Sequence, residues 1–333
     1  MLFGLLAVAV TVGVVAYALY SQKSRAPVPT ARQFDGPIRV AEVRREAHLL
    51  FRHTGQGPAY GRVAMVGLKE PDGERVTTPL SCDRVYATEG SGLCLQASRG
   101  VFTTYRAVSF DKDFREQHSF GLPGAPSRTR VSPDGRRAAS TVFVSGDSYA
   151  SGGFSTRTAI LDLESKAVVG DLEAFGVTLD GKPFKNQDFN FWGVTFLDAD
   201  RFFATLSSRG VLYLVEGRIS ERSIRVLRTG VECPSLSPDG KRLAFKARVV
   251  DRGRLLWRLR VLDLTTTTEA VVSEIRSVDD QAEWLDNTRL LYALPGEEGR
   301  SSDVWVANAD GSGAPSLFVR DAYSPSIVRP QEP

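Results

Sequence analysis

Residues that could perform chemistry are sparse in this sequence. It has three histidines, His48, His53 and His118, and none has the short spacing to a second ligand that is typical of a zinc site. Residues 146–150 resemble a turn that carries a nucleophilic serine, but such a turn must lead into a helix, and no helical pattern follows Ser148. Glycine-rich phosphate loops and dinucleotide fingerprints are absent. The sequence therefore predicts no catalytic residue, no cofactor and no enzyme activity.

An acidic group is the most unusual polar feature of the chain. Asp279 and Asp280 are adjacent and precede Gln281 and Glu283. Carboxylates held together could bind a cation or a basic peptide, or could serve a hydrolase or lyase. The same side chains could instead cap turns and bond neighbouring elements, because loop backbone groups need hydrogen-bond partners. Both interpretations stay open at this point.

The composition is that of a large globular domain. The chain has 333 residues, of which 42% are hydrophobic and 24% charged, and its 42 basic and 39 acidic residues give a net charge of +3. Nucleic-acid binding requires a surplus of Lys and Arg on one face, so this near balance argues against nucleic acid as a partner. Abundant Gly and Pro are typical of many short strands joined by tight turns.

The N-terminal segment predicts a membrane helix. Residues 2–20 carry no charge, and nineteen helical residues would span roughly 28 Å, close to the thickness of a bilayer core. A retained anchor is favoured over a cleaved signal peptide, for which residues 16–18 would supply the site, and over a buried core helix. The predicted domains are an anchor or signal segment at 1–20, a polar linker at 21–40 and a folded domain at 41–330.

The cysteines give information about the cellular compartment of the folded domain. Cys82 and Cys94 lie twelve residues apart across an expected hairpin, so they could form a disulfide bond in an oxidising compartment. They could equally be two small buried side chains. Cys233 is the third cysteine, has no cysteine left to pair with, and is expected to be buried.

A repeat determines the fold prediction. The segment 131–138 contains a Ser-Pro-Asp-Gly turn between apolar runs, and it recurs at 236–244, with weaker copies at 196–202 and 284–290. Proline, aspartate and glycine each suit one position of a tight hairpin turn. The aligned aspartates are separated by 64, 41 and 47 residues, a spacing typical of four-stranded propeller blades, and two inserted loops, 145–155 and 178–190, lengthen the first interval.

Counting strands predicts an all-β, six-bladed β-propeller of four-stranded antiparallel blades, preceded by one N-terminal transmembrane helix. Residues 83–120 form a degenerate blade, and residues 48–80 supply only three strands. The segment 322–328 resembles the innermost strand at 232–237, so it should complete that last blade. This pairing of the two chain ends would leave no open sheet edge between them.

Polar residues at the starts of the innermost strands should surround one mouth of the central channel, because all six strands begin there. This predicted binding site has seven members: Asp279, Asp280, Glu232, Asp188, Asn190, Arg128 and Asp321.

The repeated Ser-Pro-Asp-Gly turn and the segment 308–313 resemble the β-propeller repeats of the TolB family over residues 40–330. The resemblance implies an extracytoplasmic propeller that binds other envelope proteins. The family's N-terminal α/β domain is not expected here, and segments 190–196 and 276–281 look like an anchored, actinobacterial-type branch.

The predicted function is that of a non-enzymatic, membrane-anchored interaction module at the cell envelope. Its partners would be envelope or membrane proteins, the propeller would be extracytoplasmic, and the chain would be a monomer. The alternatives are a propeller hydrolase or lyase, and a sensor that binds a cation or small ligand at the polar mouth.

Overall fold

A ring of six antiparallel sheets forms the protein. The computed structural model describes residues 37–144, 155–296 and 299–330, so the predicted anchor, most of the linker and the 145–154 part of one predicted loop lie outside the described residues. Within those ranges no helix is both long and apolar enough to cross a bilayer. The six-bladed propeller of four-stranded blades is confirmed.

The first three blades follow the predicted order. Blade 1 contains β1 (His48–His53), β2 (Arg62–Gly67) and β3 (Val76–Ser81). Blade 2 contains β4 (Arg84–Ala87), β5 (Ser91–Ser98), β6 (Thr104–Asp111) and β7 (Glu116–Leu122). Blade 3 contains β8 (Ala125–Val131), β9 (Arg137–Val144), β10 (Ser155–Asp162) and β11 (Ala167–Asp171).

The other three blades complete the ring. Blade 4 contains β12 (Gly176–Leu179), β13 (Lys182–Pro183), β14 (Asn190–Phe196), β15 (Arg201–Ser208), β16 (Val211–Arg218) and β17 (Ser223–Thr229). Blade 5 contains β18 (Glu232–Leu236), β19 (Arg242–Asp251), β20 (Arg254–Asp263) and β21 (Glu269–Val271). Blade 6 contains β22 (Glu283–Trp284), β23 (Arg289–Pro295), β24 (Ser302–Asn308) and β25 (Ser316–Val319).

The last strand closes the ring as predicted. Strand β26 (Ala322–Val328) pairs antiparallel with β1, from His48 opposite Val328 to His53 opposite Ala322. It is the innermost strand of blade 1, whose sheet order is β26, β1, β2, β3. This pairing joins the two ends of the propeller sequence and removes two sheet edges that would otherwise be open.

The repeated turn has the conformation that its residue types predict. Gly135 and Gly240 have φ of 76° and 69°, the left-handed region that favours glycine. In the second turn the Asp239 carboxylate accepts hydrogen bonds from the Ser237 hydroxyl and the Lys241 backbone N–H. These bonds outweigh partial burial and lower the pKa of Asp239 to about 2.

Two regions depart from the prediction. The expected loop at 178–190 instead contributes to a hairpin, β12 with β13, whose first strand pairs parallel with β17 and extends blade 4 to six strands. The expected linker ends in a short helix, α1 (Pro37–Val43), which buries Val40 against the core between blades 1 and 2. Arg39 of this helix forms an ion pair with Glu74. Neither short element has a repeat partner that could have revealed it.

The strand directions define two ends of the channel. Each innermost strand (β26, β4, β8, β14, β18 and β22) starts at one end, named here the entry end. Each finishes at the repeated turns, named here the exit end. Because successive strands are antiparallel, the hairpin between the second and third strand of every blade returns to the entry end. The apolar core consists of the layers between neighbouring blades.

Candidate functional site at the two ends of the central channel

A buried ion triad closes the entry end. Asp280, which precedes β22, accepts a hydrogen bond from Arg84 of β4 at 3.0 Å, and the Arg128 side chain of β8 lies 3.5 Å away. These three side chains come from blades 6, 2 and 3 and are almost fully buried. They therefore meet in the middle of the ring instead of lining an open mouth.

The triad is electrostatically balanced in favour of the charged forms. Burial alone would raise the pKa of Asp280, but Arg84 and Arg128 outweigh it and hold that pKa below its ordinary value. Burial likewise opposes the charge on Arg128, and the nearby Asp280 carboxylate reverses that effect and raises the arginine pKa. The carboxylate that the sequence suggested for a cation is thus already neutralised by two guanidinium groups.

Two further side chains, Tyr323 and Gln281, join the triad. The Arg84 guanidinium stacks 4.2 Å from the ring centre of Tyr323 on the closing strand β26. Gln281 donates to the carbonyl oxygens of Val194 and Pro234, which belong to blades 4 and 5. The plug, defined as Arg84, Arg128, Asp280, Gln281 and Tyr323, contacts every blade at the entry end.

A second ion group lies beside the plug. Lys246 of β19 is buried and places its ammonium nitrogen 2.5 Å from Asp279 and 3.4 Å from Glu232. Glu232 also accepts a hydrogen bond from the Trp257 indole at 2.9 Å and one from Arg248 at 3.3 Å. Of the three carboxylates in the plug and this group, Asp280, Glu232 and Asp279, only Asp279 is well exposed. The entry end is therefore charge-balanced and not acidic.

The other predicted site residues have local structural partners. Asp188 accepts bonds from the Ser208 hydroxyl and the Arg209 backbone N–H, and Asn190 accepts one from the Thr156 backbone N–H of the neighbouring blade. Asp321 has φ of 49° and donates its backbone N–H to Asp303. The structure places these three at the entry end but brings none of them into the plug.

The cysteines occupy the same end of the ring. Cys82 and Cys94 are joined by a disulfide bond, with their Cα atoms 5.4 Å apart. The bond ties the link between blades 1 and 2 to β5. Cys233 is a buried free thiol, and burial is the main cause of its raised pKa.

The exit end has a cavity that sequence reasoning did not predict. It measures about 330 Å³ and takes lining residues from the innermost strand or the following turn of all six blades. We name it the funnel. Its apolar lining includes Leu197, Leu236 and Ile327, and Glu89 and Arg329 also border it.

A second buried ion pair forms the floor of the funnel. Glu283 accepts hydrogen bonds from the Tyr86 hydroxyl and the Ile327 backbone N–H, both at 3.2 Å, and Arg130 lies 3.6 Å away. Burial dominates here, so the pKa of Glu283 is raised despite these partners. The plug and this ion pair thus close the channel on the side of the entry end, and the funnel opens at the exit end.

The histidines are engaged elsewhere. His48 bonds the Glu46 carbonyl, His53 faces Arg75, and His118 packs edge-on against Phe120. Among the described residues, no group of three or more His, Cys, Asp or Glu side chains has metal-binding geometry.

The fold and channel define a six-bladed β-propeller with a closed entry end and an open funnel. No family model matches the sequence, and no curated protein matches it. Comparison with solved structures finds 16% identity and a TM-score of 0.55 with TolB from Acinetobacter baumannii, over 85% of this chain and 66% of that one. The fold is therefore TolB-like, although the chain spans slightly less than two thirds of that TolB.

Other solved propellers are similar to the same degree. A chain of a nidogen/laminin complex aligns with a TM-score of 0.55 at 13% identity, over 84% of this chain and 98% of that one. A puromycin-hydrolysing peptidase of Mycobacterium tuberculosis aligns with 0.50 at 14% identity, over 89% of this chain and 45% of that one. At these identities the likeness establishes the fold alone, so function must be argued from the site.

Proposed function

We propose that this protein is a non-enzymatic interaction module of the cell envelope, anchored to the membrane and bound to a protein partner through the funnel. The observation that carries the proposal is the funnel itself, a cavity of about 330 Å³ that all six blades line. Concave pockets of this size are typical ligand sites of folded domains, and this one has room for a side chain or a short segment of a partner protein. The TolB-like fold is in keeping with this role.

The buried ion groups support a binding role over catalysis. The plug carboxylate and the floor carboxylate each hold an arginine and backbone or hydroxyl donors, so both are committed to structure. A catalytic pair would need an acid or nucleophile that is open to substrate. The solvent-exposed carboxylate of Asp279 instead lies at 2.5 Å from Lys246.

The disulfide bond supports the proposed location. Such bonds persist in oxidising compartments outside the cytoplasm. Both cysteines are buried, at 3% and 0% exposure, so the bond belongs to the folded domain and not to a mobile surface loop. Together with the uncharged segment 2–20, this favours a propeller held on the outer side of a membrane.

The proposal is tested by capture of the anchored full-length chain after chemical cross-linking in its host cells, with identification of bound proteins by mass spectrometry. We expect one envelope protein to be recovered with the native chain and to be lost with L197E, which places a charge in the funnel lining. The matched control is L227E, the same substitution at a partly exposed leucine on the outer strand β17.

Two results would contradict the proposal. One is recovery of the same proteins with L197E and the native chain at equal expression and equal thermal stability. The other is the absence of any protein above the background of cells that lack the chain. Loss of binding in both L197E and L227E would show a folding defect, which circular dichroism of the two variants detects independently.

A further inference from the structure

Exposed apolar side chains concentrate at the entry end. Among the described residues, twelve large apolar side chains are exposed. Eight of them lie at or next to entry-end hairpins and connections: Tyr60, Val101, Phe102, Phe143, Val211, Val250, Leu255 and Ile275. Scattered single exposures are normal, but a bias toward one end of a ring marks an interaction surface.

The hairpin of blade 5 is the most prominent of these features. Its strands, β19 and β20, have ten residues each, whereas the matching second strands of blades 2 and 4 have eight. Two extra residues extend a strand by about 7 Å. The turn is tight, with φ of 49° at Arg252 and 77° at Gly253, so the hairpin projects as a short rigid finger.

The tip of this finger is both apolar and basic. Val250 and Leu255 pair directly across the hairpin, and they are 75% and 49% exposed. Arg248, Arg252 and Arg254 surround them, against one acidic residue, Asp251. Within the described part of the chain the structure shows no carboxylate partner for Arg252 or Arg254.

A second apolar tip lies on the opposite side of the ring. Val101 and Phe102, between β5 and β6 of blade 2, are 95% and 84% exposed and are the most exposed apolar residues of the described chain. Blades 2 and 5 are three positions apart in a ring of six, so the two tips are diametrically opposed. Between them lies the charged plug with Lys246 and Asp279.

This arrangement fits a bilayer surface better than another protein. Two apolar tips here flank a charged centre, so a protein partner that covered both tips would also have to bury Asp279, whereas charged residues are depleted from the cores of protein interfaces. Lipid headgroups accommodate charged groups while the acyl boundary receives apolar side chains. Arg252 and Arg254 beside the blade 5 tip complement anionic headgroups, and each contributes on the order of 1 kcal/mol of attraction near such a surface.

The proposed anchor permits this orientation. Arg39 of helix α1 and Arg44, directly after it, form ion pairs with Glu74 and Asp113 in exit-end turns, so the chain enters the propeller from the exit end. Residues 21–36 could extend to roughly 53 Å, and a ten-residue strand spans about 33 Å. The linker is therefore long enough to pass the height of a blade.

We propose that the entry end of the propeller rests on a bilayer that contains anionic lipids, with the blade 5 and blade 2 tips inserted at the headgroup boundary. The plug then closes the channel on the lipid side, and the funnel opens away from the membrane toward soluble partners. This inference goes beyond the proposed function, because it assigns a lipid contact that the anchor does not require.

Single-cysteine labelling of the full chain tests the proposal. The native cysteines are bridged or buried, so a new surface cysteine is the reactive one. V250C and F102C are each labelled with the environment-sensitive dye NBD, and the labelled full chain is reconstituted into phosphatidylcholine vesicles. One set of vesicles is neutral, and in the other about one lipid in three is the anionic phosphatidylglycerol. V168C, which is exposed near the exit-end turn of blade 3, is the matched control.

The expected result is an NBD emission increase of about twofold with a blue shift at V250C and F102C, in the anionic vesicles only, and quenching by spin-labelled lipid. Reversing two charges, in R252E/R254E, should return the V250C signal to its value in neutral vesicles. No change at V250C and F102C relative to V168C, in chain that sediments with the vesicles, would overturn the proposal and favour a protein contact at this end. Failure to sediment would instead contradict the proposed anchoring.

Discussion

Asp280 and Glu283 are two buried carboxylates three residues apart near one innermost strand, yet their pKa values shift in opposite directions. At Asp280, two arginines outweigh burial, and Arg84 donates a hydrogen bond at 3.0 Å. At Glu283, burial outweighs Arg130, which lies 3.6 Å away. The comparison shows that, between two equally buried carboxylates, the closeness of the cations decides the direction in which the pKa shifts.

The same difference separates the two ends of the channel. The entry end has a compact ion group that joins blades 2, 3 and 6. The exit end has a cavity whose floor is an ion pair with a longer separation, 3.6 Å between Arg130 and Glu283. A propeller with this asymmetry has one end whose channel is closed by buried ion pairs and one end whose channel is an open cavity. The predictions below test this contrast in order of the expected effect.

The largest effect is expected for D280A. The substitution leaves Arg84 and Arg128 buried beside each other without a carboxylate, which should lower the free energy of unfolding by about 3–5 kcal/mol. Chemical denaturation at neutral pH measures the change. A loss below about 1 kcal/mol would mean that the triad is hydrated in solution and does not close the entry end.

Loss of the disulfide bond should have the next largest effect. Cys82 and Cys94 close a short loop of the chain, and C82S/C94S should lower the free energy of unfolding by about 2–4 kcal/mol. The native chain purified without reductant should show one alkylatable thiol per molecule after denaturation, that of Cys233. Three alkylatable thiols would contradict both the bond and the proposed oxidising location.

A pH dependence distinguishes the two carboxylates. Because folding lowers the pKa of Asp280, its stabilising effect is present above the unfolded pKa and is lost as pH falls through the folded value. Because folding raises the pKa of Glu283, its stabilising effect is complete below the unfolded pKa and is lost as pH rises through the folded value.

The predicted loss of stability with rising pH, which is assigned to Glu283, is tested with E283Q. The variant should lack the loss of stability with rising pH, a difference on the order of 1–2 kcal/mol, and should keep the acid loss that Asp280 causes. Unfolding curves across the acidic to mildly alkaline range measure both slopes. An unchanged profile in E283Q would show that Arg130 keeps Glu283 charged throughout.

The smallest effect is expected for D279N. Asp279 contacts Lys246 from a position that is 63% exposed, so solvent screens the pair, and the loss should stay below about 1 kcal/mol. This variant is also the matched control for D280A, since the two residues are adjacent. Equal losses for both variants would remove the distinction between a buried plug and an exposed rim.

The repeat made the fold predictable, because turn chemistry recurs in register with strand patterns. Gly240 and Asp239 show the turn geometry that their types require, and β26 lies where its resemblance to β18 placed it. The hairpin at 176–183 and helix α1 were not predicted, since each occurs once and is stabilised by tertiary packing on β17 and on the core.

The place of the seven residues at one end of the ring could be predicted from the sequence, but their partners could not, and their role as a binding site stays a prediction. Starts of innermost strands do meet at one end, as the spacing indicated, but ion partners depend on side chains from distant blades. Arg84 at the start of β4 and Lys246 within the apolar run of β19 are charged residues at inward positions. That signal could have identified Arg84 as a plug residue and Lys246 as the partner of Asp279 and Glu232, whereas a cavity formed by six blades leaves no local sequence signal.

The central claim, that partners bind at the exit end of a channel closed at the entry end, is tested most directly by paired photo-cross-linking. A photoreactive phenylalanine analogue is placed at Leu197 in the funnel or at Asp279 at the entry end of the anchored chain. The account predicts a protein adduct from position 197 and none from position 279. A protein adduct from 279 alone would contradict it.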